Sequence, residues 1–433
     1  TVDGTKYLVE KEDLGGDYVD TGYGEYVFSQ NLGAPKLTRI TDTNGNSLSF
    51  RPEGITHSTG KGITFNRDNQ GRITSIIDPS GDVAVEYGYD AAGDLTTVTQ
   101  LVDKTTTPVK KVTTTFIYSE HRITDIQDPR GPGYKPVRNY YYDDGRLWKT
   151  VDGYDREIVF THNTDTRQEV VTDRLGHPTV YEYNNDGLVV SVTDALGNTT
   201  TYEYDANKNK ISETNPLGQT TRYTYDAKGN VLTSTDPRGN TTTYTYNSLA
   251  QVITTTDPSG HVTTNEYDSK GNRTKTTDAL GNVTTYEYDT AGNMLASVDA
   301  QGTRTENTYN QYGWLTQQKV AVPFMALITE YTYDDLGNQL TQTVYRTLPD
   351  STIESITTTN TYDKQNRLIK TIDPYSNYTE TTYNEIGKQT ATRDKNGNIT
   401  QYEYDLMGQQ KKVIYPDTSY EEYTYDWNGN RLT

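Results

Sequence analysis

Cysteine is absent from this 433-residue chain, and methionine and tryptophan occur only three times each. Without cysteine, the chain has no disulfide framework, no thiolate zinc site and no thiol catalysis. No apolar run approaches the roughly 18 residues of a membrane span, and no signal-peptide pattern opens the chain. The chain has 40 Lys and Arg residues and 59 Asp and Glu residues, which gives a net charge of −19. Such a surface repels nucleic acid and anionic membranes, so we expect neither as a partner and no membrane insertion.

Hydrophobic residues make up only 32% of the chain, and this scarcity together with the high charge is typical of disorder. The aromatic composition contradicts that interpretation, because 38 tyrosines stand against 6 phenylalanines. A disordered acidic chain does not carry so much aromatic surface, so we expect a folded chain. The spacing of the tyrosines indicates which fold it has.

The tyrosines recur every 21 residues, which indicates a repeat architecture. Each is followed by Asp or Asn, and a second series of Asp or Asn residues keeps the same period. The first tyrosine series is Tyr183, Tyr204, Tyr225, Tyr246, Tyr267, Tyr288 and Tyr309, and a later one in phase is Tyr362, Tyr383, Tyr404 and Tyr425. The second series of acids and amides is Asp194, Asn215, Asp236, Asp257, Asp278 and Asp299.

The best-formed unit contains two D-x-x-G turns, at residues 226–229 and 236–239. Asp at the first turn position accepts backbone hydrogen bonds, Pro237 presets φ, and glycine in fourth place tolerates positive φ. The segments between the turns are rich in Thr, Tyr and Val, which are typical of strands. The sequence therefore predicts an all-β repeat protein of antiparallel hairpins, with two strands and two turns per repeat. The positions that define this repeat are Tyr204, Asp205, Tyr225, Asp226, Gly229, Asp236, Pro237, Gly239, Tyr246, Tyr267, Asp268, Tyr288 and Asp289.

The odd length of the repeat predicts one extra residue. Side chains alternate faces with period 2, so a regular 21-residue repeat would turn the tyrosines to the other face each time. Either of the two turns could hold this residue. Placed as a glycine-type bulge at the D-P-x-G turn, it pairs Asp236 with Asn240 and sets Leu232 opposite Tyr244. One face is then Tyr plus aliphatic residues and the other is Thr, Glu and Lys.

Two regions depart from this period. Residues 1–60 are interpreted as an irregular N-terminal segment, with loops at Gly15-Gly16 and at residues 52–54, and residues 61–433 as one repeat region. Within it, the apolar stretch at residues 320–328 is interpreted as a buried longer strand pair, or alternatively as a plug or docking patch. Residues 348–351 are expected to form the tip of a longer hairpin. Both ends look cut from a longer polypeptide.

The units at residues 278–289 and 286–293 resemble the YD repeats of the Rhs family, which includes wall-associated bacterial proteins, polymorphic toxins, the Tc toxin shell and the teneurins. The resemblance covers roughly residues 60–433, and residues 3–7 and 39–46 look like the segment before the repeats in wall-associated relatives. It implies a continuous sheet that spirals into a hollow shell, which encloses a C-terminal effector in toxin relatives. Whether such a shell would close in this chain stays open.

The sequence departs from the family in several places. The D-P-x-G-L sequence of the self-cleaving family core is absent, so no residue here is assigned autoproteolysis. Lys208 and Ala250 replace turn glycines, and Asn265, Asn307 and Asn360 replace the first Tyr of Y-x-Y.

Catalytic and metal-binding patterns are weak. The five histidines (His57, His121, His162, His177 and His261) have no metal-ligand spacing, and no G-x-S-x-G, P-loop or H-E-x-x-H occurs. The turn role explains the aspartates without a catalytic pair, and a turn supplies one carboxylate at a time, so only incidental Ca²⁺ sites are conceivable. We expect no cofactor, no metal and no catalytic residue.

Three functions remain open. The first is a non-enzymatic module of a β-shell in a large secreted or cell-surface bacterial protein, with other segments of its own longer chain, such as a toxin, as partner. The second is an adhesion module that binds carbohydrates or cell-surface receptors through its tyrosines. An enzyme is the weakest of the three. The secreted location follows only from the resemblance.

Overall fold

In a computed structural model, the structure describes residues 6–8, 38–103, 110–322, 325–348 and 352–433. All regular elements in these ranges are strands, and none of the described residues lies in a helix. No helix long and apolar enough to cross a membrane was found among them. The strands are β1 (Lys6–Leu8), β2 (Arg39–Thr41), β3 (Ser47–Arg51), β4 (Gly54–His57), β5 (Gly62–Arg67), β6 (Ile73–Ile77), β7 (Val83–Tyr89), β8 (Leu95–Asp103), β9 (Lys110–Ser119), β10 (Arg122–Gln127), β11 (Val137–Tyr141), β12 (Leu147–Val151), β13 (Glu157–Asn163), β14 (Gln168–Thr172), β15 (Pro178–Tyr183), β16 (Val189–Thr193), β17 (Thr199–Tyr204), β18 (Lys210–Thr214), β19 (Thr220–Tyr225), β20 (Val231–Thr235), β21 (Thr241–Tyr246), β22 (Val252–Thr256), β23 (Val262–Tyr267), β24 (Arg273–Thr277), β25 (Val283–Tyr288), β26 (Met294–Val298), β27 (Arg304–Tyr309), β28 (Leu315–Val322), β29 (Met325–Tyr333), β30 (Gln339–Thr347), β31 (Ile353–Tyr362), β32 (Leu368–Ile372), β33 (Tyr378–Tyr383), β34 (Gln389–Arg393), β35 (Ile399–Tyr404), β36 (Gln410–Ile414) and β37 (Tyr420–Glu422).

Each strand from β2 to β36 pairs antiparallel with the strand before it and the strand after it along the chain, as β20 does with β19 and β21. The 37 strands form one sheet. Within the described residues, the first strand pairs only with β2 and the last only with β36, so the sheet is not closed into a barrel. The predicted all-β array of antiparallel hairpins in one continuous sheet is confirmed.

Both turns of a repeat have the same geometry, a three-residue loop closed by main-chain hydrogen bonds. The Asp226 N–H donates to the Asn230 carbonyl at 2.9 Å, and the Gly229 N–H donates to the Asp226 carbonyl at 3.1 Å. Gly229 has a φ of +86°, a conformation that glycine adopts readily. The second turn repeats this arrangement, with the Asp236 N–H on the Asn240 carbonyl at 2.9 Å. The four-residue signature D-x-x-G therefore encodes one loop type, used twice per repeat.

The extra residue of the 21-residue repeat lies elsewhere than predicted. Tyr225 pairs with Val231 and Thr224 pairs with Thr233, so Leu232 is skipped and forms a bulge at the start of β20. The predicted pairing of Asp236 with Asn240 is confirmed, but placing the extra residue at the D-P-x-G turn was wrong. Both loops contain three residues, so neither of them holds the extra residue of the 21-residue repeat. That residue must therefore lie in a strand. The same skipped position recurs at Val190, Ile211, Ile253, Thr274, Leu295, Thr316, Leu340, Ile369, Thr390 and Lys411.

The sheet is a thin wall without a thick apolar core. Among the described residues, the buried hydrophobic side chains are only Val112, Val151, Ala296 and Val413. Opposite the tyrosine face, threonines pair across strands by hydroxyl hydrogen bonds, as in the pairs Thr224–Thr233, Thr235–Thr241 and Thr245–Thr254 at 2.6–2.8 Å. Stability therefore comes from many equivalent contacts between neighbouring strands, as in other repeat proteins.

The two insertions extend hairpins of the same sheet. The β28–β29 ladder includes Val320 opposite Leu327, which confirms the longer strand pair. Leu327 is 41% exposed, so the predicted burial of this pair was wrong, because no second layer among the described residues covers it. At the other insertion, the Leu348 N–H donates to the Thr352 carbonyl, while residues 349–351 lie outside the described part of the chain. The predicted loop at Gly15-Gly16 also lies outside it. Residues 52–53 connect β3 to β4.

The turn aspartates make the fold sensitive to acid. A side-chain hydrogen bond from Asn230, helped by backbone N–H groups, lowers the pKa of Asp226, and the pKa values of Asp194, Asp236 and Asp278 are lowered in the same way. A lowered folded-state pKa stabilises the fold above the unfolded value of about 3.9, and this contribution is lost as the pH falls through the folded value. We therefore expect the urea midpoint of unfolding to fall between about pH 5 and pH 2.

The control is the triple variant Asp194→Asn, Asp236→Asn and Asp278→Asn. Asn215 already accepts the same backbone bonds in its own turn, and an amide does not titrate in this range. The variant should lose less stability over the same pH interval than the parent chain. If the urea midpoint fell equally steeply with pH in both proteins, the turn aspartates would not be the cause of the acid sensitivity.

Candidate functional site at the seam between the two rims of the sheet

Many repeats are tied to the preceding one by a tyrosine hydroxyl. The phenol of Tyr246 donates to the Val231 carbonyl at 2.7 Å, directly before the bulge at Leu232. Tyr204, Tyr225 and Tyr267 donate to the equivalent carbonyls of Val189, Lys210 and Val252 at 2.9, 2.6 and 3.0 Å. A bulge disrupts the ladder locally, and the hydroxyl supplies a donor at that point. Phenylalanine could not do so, which accounts for the excess of Tyr over Phe.

Some residues that depart from the repeat also donate a hydrogen bond to this carbonyl. The side-chain amides of Asn265, Asn307 and Asn360 donate to the Val252, Met294 and Gln339 carbonyls at 3.2, 2.9 and 3.1 Å. His162 stands one 21-residue period before Tyr183, and its Nε2 lies 2.9 Å from the Leu147 carbonyl. Since a carbonyl only accepts, Nε2 must carry the proton. The sequence shows the three asparagines only as replacements of tyrosine, and their acceptor carbonyls were not predicted.

The turn aspartates are engaged by their own loops. In Asp226, one carboxylate oxygen accepts the N–H groups of Lys228 and Asn230, and the other accepts the Asn230 side-chain amide at 2.8 Å. Matching side-chain bonds join four further Asp–Asn pairs at 2.7–2.9 Å: Asp205–Asn209, Asp236–Asn240, Asp268–Asn272 and Asp289–Asn293. Among the described residues, no group of three or more His, Asp or Glu could hold a metal ion. Gly239 closes its turn behind Pro237, and the Tyr288 ring is partly buried.

The remaining histidines lie apart and contact residues near them in the fold. His57 is 2.8 Å from the Thr59 hydroxyl, while His177 and His261 face the aspartates that begin their own turns. His121 contacts Asp94 at 2.8 Å, and this hydrogen bond raises the pKa of the imidazole. None of these pairs forms a convergent site.

Successive turns lie on two opposite edges of the sheet. We call the turns that follow even-numbered strands, from residues 42–46 to residues 415–419, the even rim. The turns that follow odd-numbered strands, from residues 52–53 to residues 426–430, form the odd rim. The even rim of residues 42–174 contacts the odd rim of residues 268–430, across sequence separations of 228 to 282 residues. The sheet therefore winds into a spiral whose successive revolutions meet rim to rim, and we call this junction the seam.

The seam begins with polar contacts. Asn44 and Asn272 exchange side-chain amide hydrogen bonds at 2.9 and 3.2 Å, and the Asn46 amide donates to the Ala291 carbonyl at 2.7 Å. Further on, the Lys61 ammonium donates to the Asp335 carbonyl at 2.8 Å. The same ammonium lies 4.5 Å from the centre of the Tyr312 ring, a favourable cation–π distance.

Arg130 bridges the seam with its guanidinium. One Nη donates to the Leu406 carbonyl at 2.7 Å and the other to the Asp405 carbonyl at 3.2 Å. Asp128, in the same turn, holds the guanidinium by an ion pair. Next to it, the Leu406 N–H donates to the Tyr154 hydroxyl at 3.0 Å. Main-chain groups of the odd rim are thus bound by side chains of the even rim.

Asp152 is the most deeply buried large side chain described, at 1% exposure. One carboxylate oxygen accepts the N–H groups of Tyr154 and Arg156, and the other accepts Arg156 Nε at 2.8 Å. Arg174, on the next even-rim turn, lies 3.0 Å from the same oxygen. Burial raises the pKa of Asp152, but hydrogen bonds from Arg156 and the backbone outweigh it and lower the pKa overall. The carboxylate therefore stays charged and joins two turns beneath the seam.

Beyond Asp152, the seam ends on the last described turn. The Asn428 amide donates to Asp173 at 2.6 Å, and its oxygen accepts the Arg174 N–H at 3.2 Å. No sequence pattern predicted which residues form the seam. Arg156 holds a turn position that is often Asn, but Arg72, Arg146 and Arg367 hold the same position in other turns, so it gave no indication of the distant partner.

The family model for the RHS repeat matches residues 67–102, 183–220, 209–241, 225–264, 267–304 and 383–420. A search of the curated proteins found no match to the sequence.

Two solved structures are similar in part. The crystal structure of TcdB2-TccC3 matches with 14% identity and a TM-score of 0.48, over 90% of this chain and 29% of that chain. A pore structure of the Photorhabdus luminescens Tc holotoxin with a TccC3 mutation matches with 15% identity and a TM-score of 0.45, over 86% of this chain and 25% of that chain. The chain thus spans less than a third of the length of either.

Proposed function

We propose that this chain, which is an RHS-repeat protein, forms part of the wall of a hollow β-shell in a large secreted or cell-surface protein. The wall is non-enzymatic and encloses or presents another part of its own polypeptide, such as a toxin. The observation that supports this proposal is the seam, because it joins successive revolutions of one sheet into an uninterrupted wall.

A container wall must be continuous in two directions. Along the spiral, backbone hydrogen bonds link every strand to the next. Across the spiral, the seam supplies the connection, through contacts such as Arg130 to the Leu406 carbonyl. Few side chains are fully buried on either face, and such a single layer can have solvent on one side and another segment of the polypeptide on the other.

Adhesion through the tyrosines has less support. In each Y-x-Y pair, one of the two tyrosines is engaged: the hydroxyls of Tyr204, Tyr225 and Tyr246 donate to backbone carbonyls, so these three are not free to bind a sugar. No contact in the described residues favours this alternative, which remains an outcome of the experiments below.

Limited proteolysis of the full-length polypeptide tests the enclosure. We expect the segments outside the repeats to resist a protease in the parent protein and to be cleaved faster in Arg130→Ala, because that change opens the seam. Arg238→Ala is the matched control, since Arg238 occupies the same D-P-R-G sequence on an exposed turn away from the seam. It should leave the protection intact.

Three results would contradict the proposal. The first is equal cleavage of these segments in the parent protein and in Arg130→Ala. The second is specific binding on a glycan array that is lost on Tyr→Ala substitution, which would favour adhesion. The third is turnover of a polysaccharide or peptide by the purified chain.

A further inference from the structure

The even rim is covered over only part of its length. Its turns at residues 42–46, 128–134 and 152–156 bear the seam. In the described chain, no hydrogen bond or ion pair joins the even-rim turns at residues 194–198, 215–219, 278–282 and 373–377 to an odd-rim turn. These four turns form what we call the open even rim.

The open even rim presents large apolar side chains to solvent. The exposed fractions are 87% for Leu196, 81% for Leu217, 88% for Leu280 and 81% for Tyr375. Each of these residues occupies the third position of its turn. Leu196 and Leu217 stand on consecutive even-rim turns, Arg238 and Ser259 hold the third position of the two turns before Leu280, and Tyr375 lies further along the chain. Large exposed apolar groups spaced along one edge in this way mark an interaction surface.

The third position is also the one that makes contacts in the covered rim. Asn44, Arg130 and Tyr154 stand there, and they bind Asn272, the Leu406 carbonyl and the Leu406 N–H across the seam. The open even rim therefore continues an interface that the chain already forms with its own odd rim. The matching surface is a row of odd-rim turns.

An unpaired odd rim exists on the same chain. Its turns at residues 184–188, 205–209, 226–230 and 247–251 make no described hydrogen bond or ion pair with an even-rim turn. We propose that the open even rim docks this odd rim of a second copy of the chain. The two surfaces belong to opposite edges, so the contact is head-to-tail and leaves a free rim at each end of the assembly.

The net charge sets the conditions for this association. Each copy carries −19 charges, so two copies repel each other at low ionic strength. Salt screens this repulsion and leaves the apolar contact in place. Association should therefore strengthen as salt rises, opposite to the behaviour of an interface held by ion pairs.

Sedimentation velocity of the 433-residue chain, over a range of protein and salt concentrations, tests the proposal. We expect concentration-dependent growth beyond a dimer. The triple variant Leu196→Ser, Leu217→Ser and Leu280→Ser should weaken this association about a hundredfold or more, since three leucine side chains lose their burial. The control triple is Leu295→Ser, Leu327→Ser and Leu368→Ser, at strand leucines that are 39–42% exposed, and it should associate like the parent.

Mixing distinguishes a head-to-tail contact from a symmetric one. The variant Leu196→Ser, Leu217→Ser and Leu280→Ser, which we call the rim triple, keeps an intact odd rim. It should therefore bind the even rim of the parent chain and stop further growth. The proposal is overturned if the parent chain stays monomeric at every salt concentration, if the rim triple associates as strongly as the parent, or if growth stops at a symmetric dimer that the rim triple cannot enter.

Discussion

Asp152→Ala is expected to lower the free energy of unfolding by about 3 kcal/mol, the low end for removing one partner of a buried ion pair. The carboxylate is 1% exposed and binds Arg156 and Arg174. Its removal leaves two guanidinium groups without their partner beneath the seam. Urea denaturation at neutral pH, followed by circular dichroism, measures the loss.

The matched control is Asp194→Ala, in a turn of the same type. Asp194 accepts the N–H groups of Leu196 and Asn198, as Asp152 does from Tyr154 and Arg156, but its turn is exposed and bears no seam contact. Its loss of stability should be clearly smaller. Equal losses for both variants would show that Asp152 acts only within its own loop.

The loss of stability in Asp152→Ala is also expected to depend on pH. Because the folded-state pKa of Asp152 is lowered, its contribution is present above the unfolded value of about 3.9 and disappears as the pH falls through the folded value. The difference in stability between the parent chain and Asp152→Ala should therefore shrink in acid. A difference that is constant with pH would indicate lost packing instead of a lost charge.

The triple variant Tyr204→Phe, Tyr225→Phe and Tyr246→Phe is expected to cost about 3 kcal/mol, roughly 1 kcal/mol for each lost hydrogen bond. The three hydroxyls donate to carbonyls beside the bulges at 2.6–2.9 Å. The rings and their packing are kept, so only the hydroxyl contribution is removed. Thermal and urea denaturation of the folded chain give the size of the effect.

The control triple uses the other tyrosine of each Y-x-Y pair: Tyr202→Phe, Tyr223→Phe and Tyr244→Phe. Within the described residues, these hydroxyls make no hydrogen bond, and Lys210 lies over the rings of Tyr202 and Tyr223. Phenylalanine preserves that contact, so the control should lose much less stability. If both triples cost the same, the hydroxyls do not explain the preference for tyrosine.

The loops and the strands could be predicted because they are encoded locally. Asp226, Gly229 and Asn230 fix one loop among themselves, and the Thr, Tyr and Val segments on either side are strand formers. The position of the bulge was predicted wrongly because the bulged residue, such as Leu232, is an ordinary aliphatic residue with no distinctive sequence signal. The glycine that suggested a bulge belongs to a loop that both turns share.

The repeat, the turn type and the need for one residue outside the regular alternation follow from the sequence alone, since each depends on residues close together in the chain. Which turns meet, as Asn44 meets Asn272 and Arg130 meets Leu406, is visible only in the folded sheet. The twist between neighbouring strands is small, and it accumulates over more than twenty of them. A slight change in each would bring different turns together, so the seam is a property of the whole sheet.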